Sequence, residues 1–384
     1  MEGEEVETIR APVRVGLNGF GRIGRIFLRL MQMSEKGRLE VVAINDPNMD
    51  VQSAAYLLKH DTVYGPYNGS VQVEDNGKQA IRVTNLRKPG GSESIISWFS
   101  FKNARDIPWA AAGVEYVVEC SGVNLTTEMA NQHLSEHGPQ KVILSAPPKD
   151  HHIPVFVLGC NTEQYVPGTT ILSNASCTTN CVAPIAKILH QNFGLETGLM
   201  TTIHAVTASQ RVVDVCGPKG MDPRIGRCSL DNIIPASTGA AKLCSQVVSG
   251  LEGRITGLAL RVPVSDVSVV DLTVNLSKDT TLEAILTAIE KEGGEGGAFD
   301  SMIKVDRERT VSTDWRGSLM SAVVDATSCV QLTPRFFKIV AFYDNEMGYA
   351  ARLVDMVCYT HSQDFGKGVT PQQLKQGKEF RVAT

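Results

Sequence analysis

No apolar run in the 384-residue chain approaches the roughly 20 residues that a helix needs to cross a bilayer, so no membrane span is expected. Positive charge is not in excess either. The 37 Lys and Arg stand against 41 Asp and Glu, and the net charge of −4 supports neither a nucleic-acid nor a membrane-surface partner. Met1–Arg10 is acidic and polar, without the apolar core of a secretory leader or the Arg-rich face of a transit peptide, and neither is expected. The cysteines number nine, an odd count scattered from Cys120 to Cys358, which argues against a disulfide framework and for reduced thiols in the cytosol. Metal-ligand spacing is also short. His133 and His137 share a helix face at i, i+4 but lack a third ligand, and a solvated face is expected for them. His151-His152 falls in a Pro/Lys/Asp loop, and Cys177 and Cys181 form a lone C-x-x-x-C, so no metal site is expected.

What the chain does have is 42% hydrophobic residues, an ordinary globular share, and length enough for two domains. One stretch stands out for its chemistry: Asn174-Ala175-Ser176-Cys177-Thr178-Thr179-Asn180-Cys181. It follows a strand-like run, Thr169–Ser173, and leads into an apolar helical segment, Val182–His190. A thiol at such a junction faces unpaired N–H groups and the positive end of the helix dipole, both of which favour thiolate. Ser176 and Thr178 are donors suited to an oxyanion or a phosphate. The commoner fate of a cysteine is burial beneath a cap, and the octet alone leaves both readings open.

Earlier in the chain, Val13–Asn18 alternates as a strand, Gly19-Phe20-Gly21-Arg22-Ile23-Gly24 follows at once, and Ile23, Ile26, Phe27 and Leu30 repeat at helical spacing. This places a G-x-G-x-x-G turn in its strand–turn–helix setting: Gly19 for the tight turn, Gly21 for close approach of a pyrophosphate, Gly24 for helix-on-strand packing. A second strand, Leu39–Asn45, ends at Asp46, about 20 residues on, where a carboxylate binds an adenosine ribose and repels the extra phosphate of NADP. The strands Tyr116–Glu119 and Lys141–Leu144, with a helix expected over Thr126–Glu136 between them, continue the alternation. A doubly wound α/β domain is expected over Val13–Leu144.

In the second half, Leu199–Val206 alternates as a strand with Thr202 and His204 on one face. A satisfied core histidine is as good a reading as a catalytic one. Ser209–Leu230 is a long aperiodic loop, a length usually kept for function. Thr238 and Gly239 open the helix Ala240–Val248, an anion-binding start. Arg261 lies in the strand Leu258–Val262, where its guanidinium either meets a phosphate or lines a solvated edge. Strands over Val267–Val274 and Lys338–Tyr343, a helix over Thr280–Lys291 and a last helix over Ala350–Cys358 complete the pattern. A polar tail is expected from Ser362.

Taken together, Asn18–Gly24, Ala43–Pro47, Ser173–Asn180, Thr202–His204, Ala236–Ala241, Arg261–Pro263 and Tyr343–Tyr349 resemble phosphorylating glyceraldehyde-3-phosphate dehydrogenase, in family order and over roughly Val13–His361. The resemblance implies a Rossmann-type doubly wound NAD domain (1–176, completed by a C-terminal helix, 345–361) and an α+β catalytic domain with a mainly antiparallel sheet (177–344), followed by a flexible tail (362–384). It implies Cys177 as nucleophile with His204 as its base. It places the substrate and inorganic phosphates on Ser176, Thr178, Thr207, Thr238, Gly239 and Arg261, and NAD on Gly19, Gly21, Arg22, Ile23, Gly24, Asp46, Arg87, Ser145 and Asn345. The implied activity is oxidation of a phosphorylated aldehyde, with NAD and phosphate, through a Cys177 thioester in glycolysis, by a cytoplasmic homotetramer. Erythrose 4-phosphate is an alternative substrate, and a paralogue kept for binding is the alternative class. Departures from the family fall between Pro89 and Trp109, within Val215–Pro223, and at Ser121 and Asn124 of the adenine-side loop.

Overall fold

The computed structural model describes residues 12–33, 38–75, 77, 79–85, 92–217, 220 and 222–366. The first half runs β1 (Val13–Asn18), α1 (Arg22–Met33), β2 (Leu39–Asn45), α2 (Val51–Lys59), β3 (Gly69–Asp75), β4 (Gln79–Asn85), β5 (Ser92–Phe99), β6 (Tyr116–Glu119), α3 (Thr127–Asn131), β7 (Lys141–Leu144) and β8 (Ile171–Ser173). Its eight-stranded sheet has the order β3-β4-β5-β2-β1-β6-β7-β8. The run from β5 to β8 is parallel throughout, and the β3–β4 hairpin adds an antiparallel edge. β1 and β6 are buried almost throughout because helices cover both faces, which is why these strands read as continuous apolar runs. The chain winds outward in both directions from β1, so the carboxyl ends of β1, β2 and β6 border the crevice where such sheets take ligands.

The second half runs α4 (Cys177–Phe193), β9 (Leu195–His204), β10 (Ile234–Ser237), α5 (Ala240–Val247), β11 (Ile255–Arg261), β12 (Ser268–Leu276), α6 (Leu282–Gly293), β13 (Ile303–Asp306), β14 (Ala322–Asp325), β15 (Val330–Thr333), β16 (Phe336–Tyr343) and α7 (Met347–Phe365). Its sheet has the order β10-β11-β9-β12-β16-β14-β13, with β15 paired to β16, and is mainly antiparallel; β11–β9 and β13–β14 are its parallel pairs. In β12 the residues alternate buried and half-buried, as a strand with a helix, α4, packed on one face should. The doubly wound α/β reading of the first half and the α+β reading of the second, with its mainly antiparallel sheet, both hold.

Three local differences have physical causes. α3 ends at Asn131, before His133, and the following turns fold His133 inward to 2% exposure, so the expected solvated helix face does not exist. β13, β14 and β15 are four residues each, too short for a periodicity to register, and were not expected. α7 continues past Ser362 to Phe365, because Asp364 forms an ion pair with Lys141 and accepts hydrogen bonds from Tyr165 and from the Gly168 amide. The helix thereby closes back on the first sheet. It also packs against α1 and donates from Tyr359 to the Thr162 carbonyl.

Candidate active site

The octet is built as a strained entry into α4. Ala175 takes a positive φ of 56°, which a non-glycine residue adopts at a cost of about 1–3 kcal/mol. It is held there by Ser173 Oγ on its amide and by Tyr349 Oη on its carbonyl, 3.0 Å each. The turn makes Ser176 the N-cap and Cys177 the first helical residue. Ser176 Oγ accepts the Thr179 amide at 3.1 Å and pairs with Thr179 Oγ1 at 2.7 Å. Its oxygen therefore caps α4. Thr178 is turned inward and buried, with Oγ1 2.8 Å from Tyr343 Oη; the same tyrosine lies 2.9 Å from Thr202 Oγ1. Tyr343 was not singled out from sequence, although it opens the Tyr343–Tyr349 motif.

β9 carries His204 to the start of α4. Cys177 Sγ lies 3.6 Å from His204 Nε2 and 4.0 Å from Thr178 Oγ1. β11 pairs in register with β9, Arg261 opposite His204, and this brings the guanidinium onto the imidazole: Arg261 Nη1 is 2.6 Å from His204 Nδ1. The same Nδ1 is 2.7 Å from the Ala205 carbonyl. These contacts require opposite tautomers. Donation to Ala205 leaves Nε2 a free lone pair facing the sulfur; acceptance from Arg261 puts the proton on Nε2. Burial, and next the Arg261 charge, pull the His204 pKa down to about 4, so the ring is neutral near pH 7. Burial also raises the Cys177 thiol, against smaller opposing effects of Thr178 and Arg261. The lowering expected for a thiol at a helix start is thus outweighed by desolvation.

The remaining anion candidates are less closely joined. Thr207 lies just beyond His204, its amide bonded to Gln210 and its hydroxyl 3.3 Å from Ser209. Thr238 Oγ1 accepts the Ala240 amide at 3.2 Å, and Gly239 caps α5, which packs against α4. Their described hydrogen bonds remain local to that helix start.

A cleft lies over the carboxyl ends of β1 and β2. Asn18, Gly19, Gly21, Asp46, Phe101, Lys102, Ser121 and Asn124 are among its lining. Gly19 has φ 96° and sits against the Ser121 backbone; a Cβ at Gly24 would strike the Gly19 carbonyl, so helix and turn touch as the motif requires. A Cβ at Gly21 meets no atom within 4 Å, leaving open space in front of the first turn of α1. Asp46 stands at the rim, accepting the Phe20 and Asn48 amides at 2.9 Å each. The glycine turn, the free amides of a helix N-terminus and a ribose-height carboxylate fit NAD.

The Arg22 guanidinium does not face the cleft. It is paired with Asp61 and Glu346, locking α1 to the start of α7, so only the backbone of Arg22 and Ile23 is left for a cofactor. Lys102 lines the cleft and was not picked out from sequence; Arg87 lies outside the described residues. Ser145 follows β7, with its amide on the Glu119 carbonyl. Asn345 Oδ1 accepts from Ser268 Oγ at 2.7 Å, and that oxygen takes the Ala205 amide, so one serine ties Asn345 to the residue after His204.

Beside Asn345, Asp344 and the fully buried Asp266 share Tyr64 Oη, at 2.9 Å and 3.1 Å. Burial, then the Asp344 charge, raise Asp266 to about 7, and burial raises Asp344 as well, so the pair retains a proton. The folded protein binds this proton more tightly than the unfolded chain. The resulting stabilisation is complete below about pH 4 and is lost as pH rises through about 7. Asp266→Asn carries the hydrogen at any pH. Its melting temperature should exceed that of the parent at pH 8, by on the order of 2 °C per kcal/mol regained, and the gap should shrink toward pH 5. An equal gap at both pH values would show that no proton is shared.

Among the described residues no cluster suits a metal ion, and no helix is long and apolar enough to cross a membrane. Residues 13–127 match the family profile described as glyceraldehyde 3-phosphate dehydrogenase, NAD binding domain, and residues 176–345 match its C-terminal domain. The chain is 46% identical over 356 residues to glyceraldehyde-3-phosphate dehydrogenase 1 of Schizosaccharomyces pombe, covering 91% of this chain and 98% of that protein. It is 46% identical over 352 residues to glyceraldehyde-3-phosphate dehydrogenase of Lyophyllum shimeji, covering 92% and 98%. To the cytosolic glyceraldehyde-3-phosphate dehydrogenase of Craterostigma plantagineum it is 44% identical over 347 residues, covering 90% and 98%.

Proposed function

The chain belongs to the glyceraldehyde-3-phosphate dehydrogenase family, NAD-dependent oxidoreductases of glycolysis, and we propose that Cys177 and His204 carry its reaction. The observation behind this is the 3.6 Å approach of Cys177 Sγ to His204 Nε2 at a helix N-terminus, with Arg261 against the ring. Cys177 Sγ adds to the aldehyde carbon while its proton passes through His204 Nε2 to the carbonyl oxygen, giving a hemithioacetal hydroxyl near the first free amides of α4. NAD would be held by Gly19, Gly21, Gly24, Asp46 and Asn345, with Ser145 and the Arg22 and Ile23 backbone beside it, and would supply the acceptor for the hydride that leaves the hemithioacetal carbon. His204 Nε2 takes the hydroxyl proton of the hemithioacetal, leaving a thioester on Cys177. A phosphate oxygen then attacks the thioester carbon, the C–S bond breaks, and acyl phosphate leaves as the sulfur takes back the proton held on His204. Thr207, Thr238, Gly239 and Arg261 hold the two phosphates. An anion that draws Arg261 off Nδ1 frees that nitrogen to donate to Ala205, which makes Nε2 the base. Exposed Val212, Val213, Leu199 and Leu258 suit a homotetramer, and the reduced cysteines suit the cytoplasm.

The test is NADH formation from glyceraldehyde 3-phosphate. With phosphate the protein should turn over; without it, only a burst of about one NADH per subunit should appear before the thioester stalls. Turnover unaffected by phosphate would overturn the acyl-transfer half. In Arg261→Leu, half-saturation by phosphate should shift upward by about 10–100-fold, the scale of one or two lost charge-assisted hydrogen bonds. An unchanged phosphate dependence would remove Arg261 from the site.

A further inference from the structure

Three strands end side by side beneath the cleft. Asn45 of β2, Asn18 of β1 and Glu119 of β6 occupy one row of the ladder, with Asn18 opposite both neighbours. Their side chains form a continuous hydrogen-bonded line. Asn18 Nδ2 donates to Glu119 Oε2 at 2.6 Å, and Asn45 Nδ2 donates to Asn18 Oδ1 at 2.8 Å. Asn45 Oδ1 accepts the Phe101 amide at 2.8 Å, and Asn45 Nδ2 reaches the Phe101 carbonyl at 3.0 Å. The line ends on the segment that places Lys102 in the cleft.

Glu119 is also the centre of the opposite wall. Its Oε1 accepts the amide and hydroxyl of Ser121, at 2.7 Å and 2.5 Å, and its Oε2 accepts Asn124 Nδ2 at 2.9 Å. From behind, His133 Nε2 lies 3.0 Å from Oε2 and His133 Nδ1 takes the Trp109 indole N–H at 3.1 Å. A single neutral tautomer, with the proton on Nε2, satisfies both contacts. Glu119 and His133 are both buried, and the carboxylate takes all of these donors with no arginine or lysine paired to it among the described residues. The donors, His133 first, outweigh the cost of burial and hold its pKa below the usual range.

We propose that Glu119, oriented by His133, is the positioning residue of the adenosine end of the cofactor site. This rests on the cleft being that site. A carboxylate only accepts. It therefore turns the Asn18 amide group toward itself, which turns the Asn18 oxygen to Asn45, and the Asn45 oxygen to the Phe101 amide. On the other side the same acceptor fixes Ser121 and Asn124. Both walls of the cleft are set by one buried group that does not itself line it.

Glu119→Gln tests this, because it keeps the volume but puts a donor among donors. Either the glutamine oxygen stays toward Asn18 and its NH2 confronts the Ser121 amide, or it turns over and the Asn18–Asn45 line must invert as far as Phe101; each orientation disturbs one wall. Expected are a rise of about tenfold in KM for NAD and in the Kd of ADP-ribose measured by calorimetry, with kcat at saturating NAD within about twofold of the parent. A merely structural role would lower melting temperature or kcat without that split. Unchanged KM and Kd would overturn the proposal. Asp46→Asn is the control. If it weakens ADP-ribose while Glu119→Gln does not, the cleft stands and the Glu119 assignment falls. If neither variant alters ADP-ribose binding, the cofactor placement itself is wrong. Should Glu119→Gln fail to fold, His133→Gln, which alters no residue lining the cleft, should still raise both constants by about threefold, and constants equal to those of the parent would overturn the proposal.

Discussion

Cys177→Ala should lower NADH formation by about 10⁴–10⁶-fold, the scale on which removal of an attacking side chain acts. Nothing nearby substitutes for it. Cys181, one turn further along α4, is fully buried, and burial raises its thiol well above the ordinary value. NAD binding should survive, because the glycine turn and Asp46 belong to the other sheet. Mass spectrometry after mixing with aldehyde and NAD, without phosphate, should find an acyl adduct on Cys177 in the parent and none in the variant. Alkylation adds a pH test. Because burial raises this thiol, the fraction ionised should still be climbing above about pH 8.5, the ordinary thiol value. Iodoacetamide labelling of Cys177 should climb with it, while remaining faster than that of Cys181. Residual activity near the parent level, or an adduct on another cysteine, would remove Cys177 from the mechanism.

The parts of this site legible in the sequence are those where a local backbone demand coincides with a chemical one. The Gly19–Gly24 turn, Asp46 at a strand end and the thiol at a helix start are such places, and each lies where it was expected. What was illegible depends on partners distant in the chain. His133 looked solvated because its spacing to His137 suggested a helix; its actual partners, Glu119 and Trp109, lie 14 and 24 residues away. Arg22 lies within the glycine turn and the resemblance made it a cofactor residue, yet its charge is paired with Glu346, 324 residues on. Lys102 enters the cleft because Asn45 grips the Phe101 backbone, a contact with no spacing signature. The thiol shows the same limit in energetic form. The helix dipole could be read from the octet, whereas the desolvation that outweighs it depends on how α5, α6, α7 and the second sheet pack around α4.

His204→Asn should slow the hydride-forming step by about 10²–10⁴-fold, the usual worth of a positioned general base. Asparagine can keep a hydrogen bond to the Ala205 carbonyl but has no basic nitrogen at 3.6 Å from the sulfur. The pH profile separates this role from a structural one. His204 is pulled down to about 4, so the neutral ring that can accept a proton is the dominant form across the working range. Loss of the base by protonation belongs below about pH 4, not near the ordinary histidine value of about 6.5. The ratio of parent to variant rates should therefore be flat from about pH 6 to 8, where an imidazolium–thiolate pair would make it bend. Phosphate should matter to the same ratio. With Arg261 on Nδ1, the proton sits on Nε2 and the base is blocked; with Arg261 drawn to an anion, Nδ1 donates to Ala205 and Nε2 is released. Parent Cys177 should then transfer its proton more readily with the anion bound, whereas in His204→Asn phosphate should leave the single-turnover rate unmoved. A variant within tenfold of the parent would assign the ring a packing role beneath Tyr343, its edge-on neighbour at 6.1 Å.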